Sequence, residues 1–231
     1  MSKKFKYYTT VEFAKVIFPA ISLLPQWYKN LKIFGNKTNT PVVENYTKMN
    51  LTLKSCMPFF DSLSIGYFVT TWQDLVVTQE SGAAKISWVL APDPAVIRHE
   101  DTFKGIPTPV GYEKTSFAWI FPISFKTPKD YSILLLHPMN RFDLPFLTSS
   151  GVIDSDQGMH GGQIPFFIKE GFEGVIPKGT PIAQIIPFKK EAWELSQDDK
   201  LKYIDRYHKF LTNSVIRGWY TKSIWKKTEY K

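Results

Sequence analysis

The sequence predicts a mainly β protein, a barrel or a sandwich, and two observations support this prediction. Short segments rich in β-branched and aromatic residues recur between residues 63 and 188. Glycine and proline separate them at short intervals, which is typical of the turns of all-β folds. Apolar residues make up 43% of the 231-residue chain and charged residues 22%. The chain can therefore build a core and does not have the composition of a disordered protein.

Three parts follow one another in the predicted organisation. Residues 1–54 form an irregular, basic N-terminal extension that wraps the body, with a helical turn beginning at Pro25. Residues 55–188 form the β body. Residues 189–231 hold an amphipathic helix that begins after Ser196, with apolar residues at helical spacing, and then a basic, aromatic tail.

The strands of the body are predicted in chain order from this β pattern. The segments are SIGYFVTTW, DLVVTQ, AKISWVL, SFAWIFPISF, YSILLLH, GQIPFFI, FEGVI and PIAQIIPF. Turns are expected at residues 79–82 and 127–130, where glycine, proline and aspartate occur. Residues 91–115 contain four prolines and several charges, and they are expected to form a long loop.

The net charge of +8 is unevenly distributed. Residues 1–54 carry a net charge of +7, residues 55–188 of −4, and residues 189–231 of +5. Two interpretations stay open: the basic ends dock nucleic acid, an acidic partner or a neighbouring subunit, or they serve solubility alone.

The C-terminal tail interleaves basic and aromatic side chains, a pattern that suits a nucleic-acid strand or a partner groove. The candidate partner-binding residues are Arg217, Trp219, Lys222, Trp225, Lys226 and Lys227. The alternative is that these side chains lie over a neighbouring protein surface.

The expected compartment of the protein and its expected lack of a metal site are inferred from patterns that the sequence does not contain. It shows no signal-peptide pattern, its longest apolar stretch is too short to span a bilayer, and its single cysteine, Cys56, has no internal partner. We expect a cytoplasmic protein that does not bind a membrane. No zinc-ligand spacing, Walker loop or nucleophile elbow is present, and no metal site is predicted.

An ordered series of motifs occupies residues 151–188. An acidic turn at 151–156 is followed by a strand at 163–168, a return at 172–176 and the segment Gly-Thr-Pro-Ile-Ala-Gln at 179–184. This series resembles the central motifs of the dUTPase and dCTP deaminase superfamily, apart from a short insertion at residues 159–162. The segment in which the resemblance is strong makes up about a sixth of the chain.

The resemblance implies a distorted jelly-roll β-barrel that assembles as a homotrimer, with nucleotide sites where subunits meet. It implies that Asp154 is the general base. The same resemblance assigns nucleotide binding to Arg141, Asp156, Gln157 and Gln184. The alternative is that Asp154 and Asp156 only accept hydrogen bonds from the backbone amides of a turn.

Several positions depart from the family pattern. Gln157 stands where the family has the tyrosine that stacks on the sugar, and Phe68 stands where it has an aspartate. The segment around Arg141 lacks the serine and glycine of the phosphate-binding motif, and residues 163–169 lack the glutamate of the deaminases. A helix and a basic tail replace the glycine-rich C-terminal arm.

The sequence thus predicts a non-catalytic or weakly active nucleotide-binding protein. A viral role in the host cytoplasm, in nucleotide handling or the sequestration of a signal nucleotide, is part of this hypothesis. One alternative is an active nucleotide pyrophosphatase that uses Asp154 with Mg²⁺, the only version that needs a cofactor. The other is a trimeric structural or assembly protein with basic docking tails.

Overall fold

The computed structural model describes residues 3–35, 52–204 and 224–231. Within these ranges the chain is mainly β, which confirms the predicted class. The strands are β1 (Lys6–Thr9), β2 (Ile17–Pro19), β3 (Tyr67–Thr70), β4 (Leu75–Glu80), β5 (Ala83–Ser87), β6 (Ala95–Ile97), β7 (Tyr112–Ile120), β8 (Ile123–Lys126), β9 (Tyr131–Leu136), β10 (Phe146–Thr148), β11 (Gly151–Asp154), β12 (Met159–His160), β13 (Gln163–Lys169), β14 (Gly174–Ile176) and β15 (Pro181–Lys189). The α-helices are α1 (Gln26–Asn30) and α2 (Met57–Ser64). Short 3₁₀ turns lie at Ala20–Leu23, Leu53–Ser55 and Glu100–Phe103.

The strands pair into four antiparallel sheets. A five-stranded sheet has the order β11-β9-β15-β3-β2, and a four-stranded sheet has the order β10-β13-β7-β6. Two three-stranded sheets have the orders β14-β4-β5 and β1-β8-β12. Hydrogen bonding among the described strands does not close a barrel, so the jelly-roll arrangement stays a prediction.

Two compact units divide the described residues. The first takes its residues from 1–24, 63–190 and 230–231, and the second from 25–62 and 191–229. Residues 3–24 therefore belong to the β unit. Unlike the irregular extension predicted for them, residues 6–9 pair with β8 and residues 17–19 pair with β3. Short segments of this kind become strands when a partner strand satisfies their backbone groups, which local sequence does not reveal.

The core of the first unit lies between the sheets and is rich in aromatic side chains. Trp72, Trp119, Phe121 and Phe146 are each fully buried. The ring of Trp119 stacks on that of Phe166 in the adjacent strand, with 3.6 Å between the ring centroids. Large rings of this kind bury the most apolar area per residue and so account for much of the packing of this unit.

The turn predicted at residues 79–82 is present, whereas the segment predicted as a loop at residues 91–115 contains a strand. The β4–β5 hairpin turns at Ser81 and Gly82, both with positive φ, and this two-residue turn suits the twist of a hairpin. The segment predicted as one long loop, residues 91–115, instead contains β6. This three-residue strand exists because the edge of β7 pairs with it, and so short a strand surrounded by prolines has no distinct local pattern.

The second unit is held together by aromatic contacts between its helices. The ring of Tyr28 in α1 lies 6.1 Å from that of Phe59 and 6.2 Å from that of Phe60, both in α2. Residues 201–204 are helical, at the start of the predicted C-terminal helix, and the rest of that helix lies outside the described residues. None of the helices in the described ranges is both long and apolar enough to cross a membrane.

Candidate functional site

Three neighbouring strands bring together the groups around Asp154. Asp154 ends β11 and lies directly opposite Ser132 of β9, which in turn lies opposite Phe188 of β15. The Ser132 hydroxyl donates a hydrogen bond to the Asp154 carboxylate at 2.8 Å. Lys190, which directly follows β15, donates a second one at 2.7 Å. The carboxylate is therefore held by one donor from the adjacent strand β9 and by a second from the residue that follows β15, one strand further along the sheet.

A cavity of about 290 Å³ opens at this point, and we call it the Asp154 pocket. Its lining residues are Asp130, Tyr131, Ser132, Asp154, Asp156 and Lys190. Asp156 lies in the turn after β11, where its carboxylate accepts a 3.4 Å hydrogen bond from the backbone amide of Asp130. Asp156 thus plays the turn-capping role of the structural alternative while also facing the pocket. The two aspartates of the acidic motif share one cavity.

The charges around the Asp154 pocket are mixed. Hydrogen bonds from Lys190 and Ser132, with the nearby positive charge of Lys190, lower the pKa of Asp154 below its ordinary value. Lys3 donates a hydrogen bond to the hydroxyl of Tyr131 and lies 4.1 Å from the centroid of its ring. The pocket lining thus combines three carboxylates, an aromatic ring and the Lys190 ammonium group, and Lys3 adds a second ammonium group beside the ring. It can accept hydrogen bonds from a ligand, stack on a ring and contact an anion.

The other predicted nucleotide-binding residues lie at the opposite end of the same strands. Gln184 of β15 pairs with Leu136 of β9, whereas Asp154 pairs with Ser132. Four residues along a strand span roughly 13 Å. Arg141 belongs to the loop that follows β9 beyond Leu136. Within one chain, Arg141 and Gln184 therefore do not line the Asp154 pocket.

Both residues make hydrogen bonds within the chain. Gln184 is fully buried; its carbonyl oxygen accepts from the Met139 backbone amide at 2.9 Å, and its amide group donates to the Ile65 carbonyl at 2.7 Å. The Arg141 guanidinium donates to both carboxylate oxygens of Asp143, at 2.9 and 2.8 Å. These contacts hold the loop after β9 in place, which is a structural role, and ligand binding by these two residues stays a prediction.

The turn after β11 is anchored by a residue that the sequence analysis did not single out. Ser155 is fully buried, its hydroxyl lies 2.8 Å from that of Thr127, and its carbonyl accepts from the backbone amides of Thr127 and Gly158. Gln157, which the resemblance assigns to nucleotide binding, is exposed and does not line the Asp154 pocket. The turn geometry thus depends on Ser155 and leaves Gln157 at the surface.

The chain shows distant structural similarity to a known phage protein. No family model matches the chain, and no curated protein matches it. Among solved structures, the chain is similar to a point mutant of the dUTPase from phage phi11 of S. aureus, over 73% of this chain and 94% of that one. The sequence identity is 13% and the TM-score 0.32. This similarity is too distant to support an argument about activity, ligand or assembly.

Sequence reasoning missed Ser132, Tyr131 and Lys190, because these residues are distant in sequence from Asp154 and lie beside it only through strand pairing. It also missed Lys3, which contacts Tyr131. The available signal was a pair of lysines directly after the last predicted strand. Within the described ranges, no three His, Cys, Asp or Glu side chains come together to form a metal-binding group.

The predicted partner-binding tail is described only in part. Arg217, Trp219 and Lys222 lie outside the described residues. The Trp225 indole donates a 2.8 Å hydrogen bond to Asp61 of α2, so this ring is engaged by its own unit. The two remaining tail lysines, Lys226 and Lys227, are exposed, and Lys227 lies 3.8 Å from the Glu229 carboxylate.

Proposed function

We propose that this protein binds a small nucleotide in the Asp154 pocket and hydrolyses it weakly or not at all. The observation that supports this proposal is the state of the Asp154 carboxylate. It borders a cavity with an aromatic ring beside it, yet hydrogen bonds from Lys190 and Ser132 already hold it. Such a group is suited to binding and poorly suited to proton abstraction.

The pocket chemistry matches the parts of a nucleoside monophosphate. The Tyr131 ring offers a stacking surface, the Asp154 and Asp156 carboxylates accept hydrogen bonds from sugar hydroxyls or base amino groups, and Lys190 can contact a phosphate. Three carboxylates outnumber the ammonium groups, so a long polyphosphate is repelled. We therefore expect a nucleoside or its monophosphate to bind at least as tightly as the triphosphate when Mg²⁺ is absent.

Weak catalysis follows from the same ion pair. A general base is most effective when its pKa lies near the working pH, and Lys190 lowers the pKa of Asp154 further from neutrality. The substitutions relative to the family pattern, such as Gln157 in place of tyrosine, remove further contacts that would stabilise a transition state. The pyrophosphatase alternative requires Lys190 to leave Asp154 and Mg²⁺ to accompany the triphosphate.

Calorimetric titration and thermal melts with nucleosides, their monophosphates and their triphosphates, each with and without Mg²⁺, test the proposal. A ligand present at about 100 times its Kd stabilises the native state by about 2.7 kcal/mol. For a chain of this size that corresponds to a melting-temperature rise of about 5–10 °C. Asp154→Asn should abolish the rise. Asp101→Asn, which removes another exposed aspartate in an ion pair with a lysine, should preserve it.

Chromatographic detection of nucleotide products separates the alternatives. Turnover with Mg²⁺ at about 1 per second or faster, lost in Asp154→Asn, would establish the pyrophosphatase in place of the proposal. If no nucleotide raises the melting temperature, the binding proposal fails and the structural alternative gains. We also propose a homotrimer and a viral, host-cytoplasmic role, both from the sequence resemblance alone. A monomeric mass by light scattering would refute the trimer.

A further inference from the structure

The small sheet β1-β8-β12 has one face that alternates basic with aromatic and polar side chains. Tyr8 lies opposite Ser124, which lies opposite His160, and Lys6 lies opposite Lys126. Residues that face each other across strands, or are two apart along one, share a side of the sheet. We call these five residues the outer face, because the alternating β8 residues on the other side are buried in the core.

The short strand β12 adds His160 to the outer face. Gly161 donates a hydrogen bond from its amide to the Ile123 carbonyl at 2.8 Å, which holds β12 against β8. A Cβ atom at residue 161 would lie 2.6 Å from the Cβ of Phe121, so only glycine permits this approach. The strand then places the His160 ring 3.3 Å from the Ser124 hydroxyl.

The charge of the outer face is positive and uncompensated. Lys6 and Lys126 form a directly opposed pair of like charges, an arrangement that destabilises a sheet unless something relieves it. In the part of the chain that the structure describes, neither lysine forms an ion pair, and β1, β8 and β12 contain no acidic residue. Lys4, two residues before Lys6, adds to the positive charge. An anionic ligand would remove the repulsion.

We propose that the outer face binds single-stranded nucleic acid. The Tyr8 side chain is 65% exposed, and it borders an open cavity of about 450 Å³ that also contacts Lys6, Lys126 and His160. Exposed aromatic rings on a positively charged surface are the usual platform for unpaired bases, because every base has a face to stack and every nucleotide a phosphate. Tyr8 stacks on a base, the lysine pair contacts the phosphates, and Ser124 and His160 form hydrogen bonds beside them.

The distance between the stacking contact on Tyr8 and the phosphate contact on Lys6 suits a short stretch of nucleic acid. Lys6 and Tyr8 are two residues apart on β1, which is roughly 7 Å along the strand. A base on the ring and a phosphate on the lysines can therefore belong to the same short stretch of nucleic acid. This site is separate from the Asp154 pocket, and the proposal does not depend on the proposed function.

Fluorescence anisotropy with the full chain and a fluorescein-labelled oligo(dT) of about 15 nucleotides tests the proposal. Tyr8→Ala should weaken binding by about 5- to 100-fold, because it removes one stacking contact. The double variant Lys6→Ser/Lys126→Ser should weaken binding and reduce the slope of log K against log salt by about 1.4, because two phosphate contacts are lost. Thermal melts confirm that each variant is folded.

Matched controls distinguish this face from general charge. The double variant Lys114→Ser/Lys169→Ser removes two exposed lysines from β7 and β13, and Tyr203→Ala removes a tyrosine that is 63% exposed. Both should bind oligo(dT) like the wild type. The proposal is overturned if the wild type does not bind, if the controls weaken binding equally, or if a duplex of the same length binds as tightly. Equal displacement of the oligonucleotide by polyglutamate would identify an acidic polypeptide as the ligand instead.

Discussion

Gly66→Ala should be among the most destabilising single substitutions in the first unit. Gly66 precedes β3 at the point where that strand meets β15, and its φ is +74°. A Cβ atom there would lie 2.1 Å from the carbonyl oxygen of Ile185 and 3.1 Å from the side chain of Ile186. Substitution therefore combines an unfavourable backbone conformation with a collision against backbone.

The expected loss of unfolding free energy in Gly66→Ala is the sum of these two contributions. A left-handed conformation costs an alanine about 1–2 kcal/mol. Side-chain Cβ atoms essentially never approach a neighbour within 3.0 Å, so one strand must move by about 1 Å. β15 is paired with β3 on one side and β9 on the other and cannot move without distorting both ladders. We expect a total loss of about 3–5 kcal/mol, the range of a severe steric defect.

Gly82→Ala supplies the control. Gly82 also has a positive φ, of +79°, but nothing lies within 4 Å of its would-be Cβ. Only the conformational cost applies there, about 1–2 kcal/mol. Urea unfolding followed by tryptophan fluorescence gives both losses from the shift of the midpoint. If Gly66→Ala and Gly82→Ala cost the same to within about 0.5 kcal/mol, the predicted collision at residue 66 does not contribute to stability.

Three further predictions concern hydrogen-bonded side chains. Lys190→Met should raise the pKa of Asp154 towards its ordinary value, measured by NMR titration of the carboxyl; an unchanged pKa would contradict the ion pair. Because the folded pKa of Asp154 is lowered, its stabilisation is present above the unfolded pKa and is lost as the pH falls through the folded one, so wild type and Lys190→Met should converge in melting temperature at acidic pH. Gln184→Leu should cost about 1–3 kcal/mol in urea unfolding, because it leaves the half-buried Ile65 carbonyl and Met139 amide without their side-chain partner; a loss below about 0.5 kcal/mol would show that the site relaxes. Thr148→Val should cost about 1–3 kcal/mol, because its hydroxyl accepts from the Trp119 indole at 3.0 Å, and strict additivity with Trp119→Phe in a double-mutant cycle would argue against that bond.

Local pattern predicted most of the strands and part of the candidate site. The β4–β5 hairpin and β13 carry β-branched and aromatic residues bounded by turn residues, and the structure has them near the predicted positions. Asp154 and Asp156 were found because they are close together in a recognisable motif. The resemblance assigns Arg141 and Gln184 to the same site as Asp154. In the structure, however, Gln184 and Asp154 pair with opposite ends of β9 and are therefore far apart.

The β class, the positions of the main turns and the acidic bend after β11 are readable in the order of residues along the chain. These depend on interactions between neighbours along the chain, such as propensity, glycine conformation and alternation, and a single sequence displays them directly. Tertiary structure alone decided that β1 and β2 join sheets, that Lys190 reaches Asp154, and that Lys6 faces Lys126. Each of these results from the pairing of strands distant in sequence, and strand register, which sets those neighbours, is chosen by the packing of the whole sheet.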